Sequence, residues 1–458
     1  MNVSHLTLYR KNSSAQNKGG SMRKMGWKCN LLTVAFIFMT TGLGWAEVKP
    51  GDTITKDNIA QAEGLLTPFV RWLVEQGMPI PVIETRKVEW PKAYRDATEK
   101  YAAQVKLSAD GRNMYNYVAG SPFPAIDPND PLAGFKLMWD HEQRPYIIDN
   151  IGTEWIVELV NSKGELERKY ASSFWRRMMW TGRLYTDPKP VVPHNPAVRY
   201  TEQWGPMFTP ADLKGAGVVN FRFLPPDVPD DTYMYLPELR RVRRISSANR
   251  SDAFWGTDGD IDSIGGFNAK VSYWTFRLLA EKEILAVAHS GKYGDPSQWC
   301  APRDGAHGFL AALPCVSWEK RKVWIVEGIP TGYGTQYAYS KRILYLDKDS
   351  FGPGIAEMYD QGGELWKGIV NCSFWAKKPY EGYPAKPIEG GKYKYEDEWP
   401  FTPNGILADI QQTHATTFDA PSSHTKPSEW MNEWYFNEDV PINTEKAYSV
   451  SYLIQSAH

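Results

Sequence analysis

Side chains able to do chemistry are concentrated in one stretch, Asp258-Gly259-Asp260-Ile261-Asp262, with the aromatic pair Phe254-Trp255 just ahead of it. Carboxylates at alternate positions partly echo a calcium loop, but the bidentate Glu that closes an EF-hand loop is missing. With Trp255 as a sugar platform, Asp260 and Asp262 could also be the two carboxyl groups of a glycosidase. Residues at i and i+2 do not ensure that two carboxyls face each other across a sugar, and a structural use is at hand. Arg241 and Arg243 lie upstream as ion-pair partners for Asp258, Asp260 or Asp262. The other chemistry is sparse. Beyond residue 46 the histidines are His141, His194, His289, His307, His414, His424 and His458, none with a second His or Cys at ligand spacing. The sequence has no Gly-x-Ser-x-Gly elbow, phosphate loop, dinucleotide fingerprint or metalloprotease helix. The expectation is a protein without catalytic residues, metal or cofactor.

The acids are delivered by the stretch Asp231–Phe267. Tyr233–Leu236 reads as a strand, Pro237 interrupts it, and Leu239–Ile245 resumes in extended form. In the second piece Arg240, Val242 and Arg244 share one face, and Arg241 and Arg243 the other. Arginine on both faces rules out an ordinary core strand, because lone guanidinium groups are not buried without partners. Val218–Leu224 reads as the preceding strand of an antiparallel meander.

Other strands are expected at Trp155–Val160, Glu165–Tyr170, Phe174–Tyr185, Val323–Gly328 and Gln336–Leu346. Gly354–Tyr359 pairs with Glu364–Ile369 across Asp360-Gln361-Gly362-Gly363, and a hairpin turns at Ser108–Gly111. Helices are expected at Asn58–Gly64 capped by Thr55, at Leu65–Gln76 with Leu66, Phe69, Val70 and Leu73 on one stripe, at Trp90–Tyr101 and at Phe135–His141. Val271–Ala288 reads equally as helix or strand. From Phe374 onward, Trp, Tyr, Pro and Lys predominate, which suggests loops and short helices wrapping the sheet, with Gln411–Thr417 as a turn or cap.

The first 46 residues read as an export signal with extra residues ahead of it. A basic region at Met22–Lys28 precedes the apolar run Leu31–Leu43, and Gly44-Trp45-Ala46 places small residues where cleavage occurs; residues 1–21 are polar and structureless by composition, so translation is expected to begin at Met22 or Met25. The run is too short for a stable membrane span, and Cys29 precedes it, whereas a lipoprotein cysteine would follow. Six of the 52 basic residues and none of the 53 acidic ones lie in this segment, so the remainder carries 46 basic against 53 acidic residues, a net charge of −7. An acidic chain without a basic tract is unsuited to nucleic acid. In an oxidising compartment Cys300 and Cys315 would close a loop of about fifteen residues, worth roughly 3 kcal/mol; a Cys300–Cys372 bridge is the competing pairing.

Taken together, YLPELRRVRR leading into FWGTDGDID, GDTITKDN at Gly51–Asn58, AGSPFPAIDPNDPLAG at Ala119–Gly134 and YSKRILYLDKDSFGPGIAEMYDQGGELWKGI at Tyr339–Ile369 resemble the DUF1329 family. That family is a branch of the outer-membrane lipoprotein-sorting proteins with the LolA/LolB-like fold. The resemblance covers nearly all of the chain after residue 46. It implies an α+β, mainly antiparallel β fold: a strongly curved sheet, or half-barrel, packed on helices with long loop-rich extensions. Residues 47–103 would form a helical segment, 104–373 the curved sheet, and 374–458 an extension wrapping it. The implied function is a carrier or chaperone in the periplasm of a Gram-negative bacterium, holding a lipid or other hydrophobic molecule in an apolar cavity. Candidate lining residues are Tyr233, Tyr235, Phe254, Trp255, Tyr273, Trp274, Phe276, Trp324 and Tyr337, with Arg241 and Arg243 at a polar mouth for a phosphate or carboxylate. The alternative is an interaction protein that docks on an inner-membrane efflux complex or an outer-membrane protein, using aromatics of Lys377–Trp399.

Overall fold

Two runs of alternating residues, one on each side of the acid-rich stretch, fold into antiparallel meanders that join edge to edge. The computed structural model describes residues 47–147, 149–195, 197–246, 250–289, 316–331, 337–376, 386–387, 397–419, 433–436 and 440–457. The expected leader, Cys300 and Cys315 lie outside the described residues. The first meander contains β1 (Asn150–Val160), β2 (Leu166–Met179), β3 (Val198–Trp204), β4 (Gly217–Phe223), β5 (Asp231–Leu236) and β6 (Arg241–Ile245). The second contains β7 (Trp274–Ala286), β8 (Glu319–Pro330), β9 (Lys341–Asp347), β10 (Pro353–Tyr359), β11 (Leu365–Ala376), β12 (Trp399–Asp409) and β13 (His414–Asp419). Across the sheet the order is β6-β5-β4-β3-β2-β1-β13-β12-β11-β10-β9-β8-β7, every neighbouring pair antiparallel. The seam between the meanders runs from Val160 opposite Ala415 to Ile156 opposite Asp419. This is a mainly antiparallel β fold with helices. The expected half-barrel is not seen, because the sheet neither closes nor curls strongly.

Two expectations change. The segment after Phe374 does not merely wrap the sheet, since β12 and β13 lie at its middle; of the proposed turn at Gln411–Thr417, residues 411–413 do form the turn between these strands and residues 414–417 open β13. Pro400 and Pro403 hid β12 in the sequence. They are tolerated because residues 399–401 pair only with β11, and the pairing with β13 begins at Asn404. Val271–Ala288 is a short 3-10 turn at Val271–Tyr273 followed by β7. A register shift between Leu278 and Ala280 breaks the two-residue alternation along β7, so no clean strand period could be read there.

Both faces of the second meander are covered. On one lies α1 (Pro68–Glu75), started by Thr67, whose hydroxyl accepts from Val70 N, and by Pro68 at the first helical position. Its stripe of Phe69, Val70, Leu73 and Val74 packs on Ile343, Tyr345, Ile355, Val370 and Ile406. Phe69 can lie flat on β11 because Gly368 has no side chain there; a Cβ at Gly368 would stand 2.1 Å from the ring. Three further helices are α2 (Lys92–Tyr101), α3 (Ala133–Gln143) and α4 (Val450–Gln455). On the opposite face α3 contributes Phe135, Leu137 and Met138 to a core with Trp324, Leu344, Met358 and Ile369. At the first meander, α4 packs Leu453 against Val219 and Tyr235.

Candidate functional site

The segment that leaves β6 at the sheet edge returns to β7 at the other edge, and on its way it crosses one face of both meanders. Its acids are the anchors. Asp258 accepts at Oδ2 from Thr416 Oγ1 and faces His414 Nδ1, both at 2.7 Å, while its carbonyl accepts from Lys367 Nζ at 2.7 Å. Asp260 accepts from Tyr339 Oη at 2.5 Å, and Arg342 Nη2 lies 3.3 Å from its carboxylate. Asp262 is clasped by Arg250 through Nε and Nη2, and accepts from Tyr337 Oη at 2.5 Å. Burial works against charge on Asp262, but the Arg250 guanidinium holds its carboxyl below the usual range. Trp255 O accepts from Tyr170 on β2, and Asn268 O from Arg222 on β4. The segment is therefore a strap that ties the two meanders together.

This geometry gives the cluster a structural use, anchoring the strap. Each carboxylate already has hydrogen-bonding partners, and among the described residues no group of three His, Cys, Asp or Glu could hold a metal. It also corrects the expected ion pairs. Arg241 and Arg243 stand exposed on β6, opposite Leu236 and Met234, and among the described residues no ion pair joins them to Asp258, Asp260 or Asp262. The strap runs inward from that edge, so Arg250, Arg342 and His414 reach the acids first.

The candidate lining aromatics fall in three places. Tyr273, Trp274, Phe276 and Trp324 are buried in one core, and Tyr337 packs on Trp274 with ring centroids 4.7 Å apart. Phe254 and Trp255 stack on each other at 4.4 Å, against Trp204 and Tyr170. Tyr235 and Tyr233 pack with Leu453. None of these residues, nor Arg241 or Arg243, lines the described cavities.

One described space lies apart from these clusters. A cleft of about 460 Å³ lies where α3 and the hairpin residues 113–118 meet β3, β4 and the end of the strap. Met114, Val118, Trp139, Val191, Phe223 and Leu224 give it apolar walls. Its floor is cationic. Buried Arg199 pairs with Glu142, and buried Arg222 donates through Nε to Asp230 at 2.8 Å. Lys270, also buried, donates to Pro225 O at 2.9 Å and to Val228 O, with Asp230 3.9 Å away. Burial pushes the Lys270 ammonium down to about 8, against the pull of Asp230. These residues were missed in the sequence, although Val198-Arg199-Tyr200 and Phe221-Arg222-Phe223 carry the signal of a charge inside a strand flanked by large apolar residues.

A mainly antiparallel β protein with a strapped sheet and an amphipathic cleft is the class that this architecture defines. The sequence pattern of the family described as "Protein of unknown function (DUF1329)" matches residues 53–441, and the chain belongs to that family. A relative is the uncharacterized protein PA3922 of Pseudomonas aeruginosa, 25% identical over 334 residues that span 70% of this chain and 69% of that protein. Among solved structures, a DUF1329 family protein from Desulfovibrio piger matches with a TM-score of 0.44 and 17% identity, over 72% of this chain and 100% of that one. A LolA superfamily protein from Nitrosomonas europaea matches with a TM-score of 0.35 and 11% identity, over 69% of this chain and 97% of that one. No helix among the described residues is long and apolar enough to cross a membrane.

Proposed function

We propose that this DUF1329 protein is a periplasmic carrier that binds a hydrophobic ligand without transforming it. The observation that carries the reading is the cleft of about 460 Å³, whose apolar walls converge on a few buried polar groups. That is the composition of a small-molecule site, in which apolar surface supplies affinity and a small number of polar groups fix orientation. The acids that looked reactive are occupied in holding the strap, which leaves binding as the use of the concave surface. The export signal expected in the first 46 residues supports the periplasm as the compartment.

The test is native mass spectrometry of the mature protein purified gently from periplasm, with lipid extraction of any bound species. Leu224→Asp and Met114→Asp place a charge on the apolar walls and should release a stoichiometric hydrophobic ligand. Arg241→Gln, at the outer strand of the sheet, should leave it bound. Protein that arrives empty and also ignores added phospholipids, fatty acids and sterol-like molecules would overturn the carrier reading.

A further inference from the structure

Behind the Glu142–Arg199 pair lies a second compartment of about 60 Å³. It shares Glu142, Arg199 and Arg222 with the cleft, and Arg144 and Arg177 complete a lining of four guanidinium groups. We propose that this compartment is an oxyanion site, which takes the carboxylate or phosphate head of an amphipathic ligand whose apolar part lies in the cleft. The inference rests on the carrier reading and adds the chemical class of the head group.

The argument is one of unbalanced charge. Arg144, Arg177, Arg199, Arg222 and Lys270, which line the two spaces, and Arg250, which shares Asp230 with two of them, make six cations. The carboxylates that pair with them among the described residues are four: Glu142, Glu202, Asp230 and Asp262. Asp230 is divided among Arg222, Arg250 and Lys270 at 2.8, 3.3 and 3.9 Å. Arg177 donates to Glu202 through Nη2, and its Nε is buried with no hydrogen-bond partner among the described residues. Arg144 pairs with no carboxylate among the described residues. Its Nη1 donates to His141 O at 2.6 Å, and its guanidinium lies 5.1 Å from the Tyr146 ring centroid. Burial, and then the neighbouring Arg177 and Arg199, push the Arg144 guanidinium down to about 10. Cations removed from water without counter-charges are costly, and an anion seated among them offsets that cost. Guanidinium forks match the geometry of carboxylate and phosphate. The volume suits such a group, since a single water needs only about 10–15 Å³ of comparable space.

The experiment is titration calorimetry of the full mature protein with three probes: oleate, mono-olein as the neutral ester of the same chain, and inorganic phosphate. Arg144→Gln is the main variant, because this side chain is half-buried and has no carboxylate to strand. Arg144→Lys keeps the charge, Arg241→Gln is the control, and circular dichroism verifies the fold of each. Oleate should bind at least tenfold more tightly than mono-olein. Arg144→Gln should erase most of that difference while leaving mono-olein unchanged, and Arg144→Lys should retain part of it. Equal binding of oleate and mono-olein would overturn the oxyanion site while the carrier reading stands. Phosphate binding that is lost in Arg144→Gln, with neither lipid bound, would assign the site to a free oxyanion and overturn the carrier. A protein that binds none of the three overturns both.

Discussion

His414 should make the stability of the strapped sheet depend on pH in the alkaline range. It opens β13 between two carboxylates, with Nδ1 2.7 Å from Asp258 Oδ2 on the strap and Nε2 3.0 Å from Glu167 Oε2 on β2. Only the imidazolium can donate to both. The hydrogen bond to Asp258, aided by its charge and then by Glu167, pushes the imidazole up to about 9. The folded state therefore holds this proton more tightly than the unfolded chain, whose value is near 6.5. The stabilisation is fully present below about 6.5 and is lost as pH rises through about 9. Taken at face value the shift is worth about 3 kcal/mol. The His414 side chain is 19% exposed and that of Glu167 48%, so solvent screening reduces the expectation; about 1–2 kcal/mol is the figure to test. Urea unfolding of the wild type and His414→Gln between pH 6 and 10 checks this, because the difference between the two curves cancels the titration of other groups. The wild type should lead by about 1–2 kcal/mol at pH 6 and lose that lead by pH 10. Parallel curves across the range would refute the reasoning.

Three further outcomes follow from packing and burial. Arg342→Met strands Asp260 in the interior and should cost about 3–5 kcal/mol in urea unfolding; adding Asp260→Asn should restore part of it, whereas additive losses would show that the pair is not coupled. Gly368→Ala places a methyl 2.1 Å from the Phe69 ring and should cost about 1–3 kcal/mol by displacing α1, seen as a lower urea midpoint. Asp140 on α3 accepts from Ser121 Oγ at 2.6 Å and Phe123 N at 2.9 Å, yet burial pushes its carboxyl up to about 7. The folded state thus favours the protonated acid, and its stability falls as pH rises from about 4 to 7. Asp140→Asn should be the more stable protein at pH 8 by about 1–3 kcal/mol and should lose that advantage near pH 4, as measured by the same titration.

What the sequence determined by itself is local. The β4–β5–β6 meander with its break at Pro237, the β10–β11 hairpin across Asp360–Gly363, and the apolar stripe of α1 were all legible, because turn chemistry and side-chain period act over a few residues. Proximity in sequence misled where partners are distant. The arginine-rich strand with Arg241 and Arg243 suggested the partners, yet Arg342 on β9, His414 on β13 and, nearer in the chain, Arg250 within the strap hold the acids, because the fold decides which cation faces which carboxylate. β12 and β13 were read as wrapping, since β13 takes its place only by pairing with β1, more than 250 residues earlier. The aromatics suggested a lining from sequence, but whether a ring lines a space or packs in a core depends on what lies against it, and the rings of Tyr273, Trp274, Phe276 and Trp324 share a core with Phe267 and Ala269 of the strap. The cleft with its arginines exists only where α3, β3, β4 and Lys270 converge. Tertiary structure alone decided that site, because a cavity and its charge balance are properties of elements brought together from separate parts of the chain.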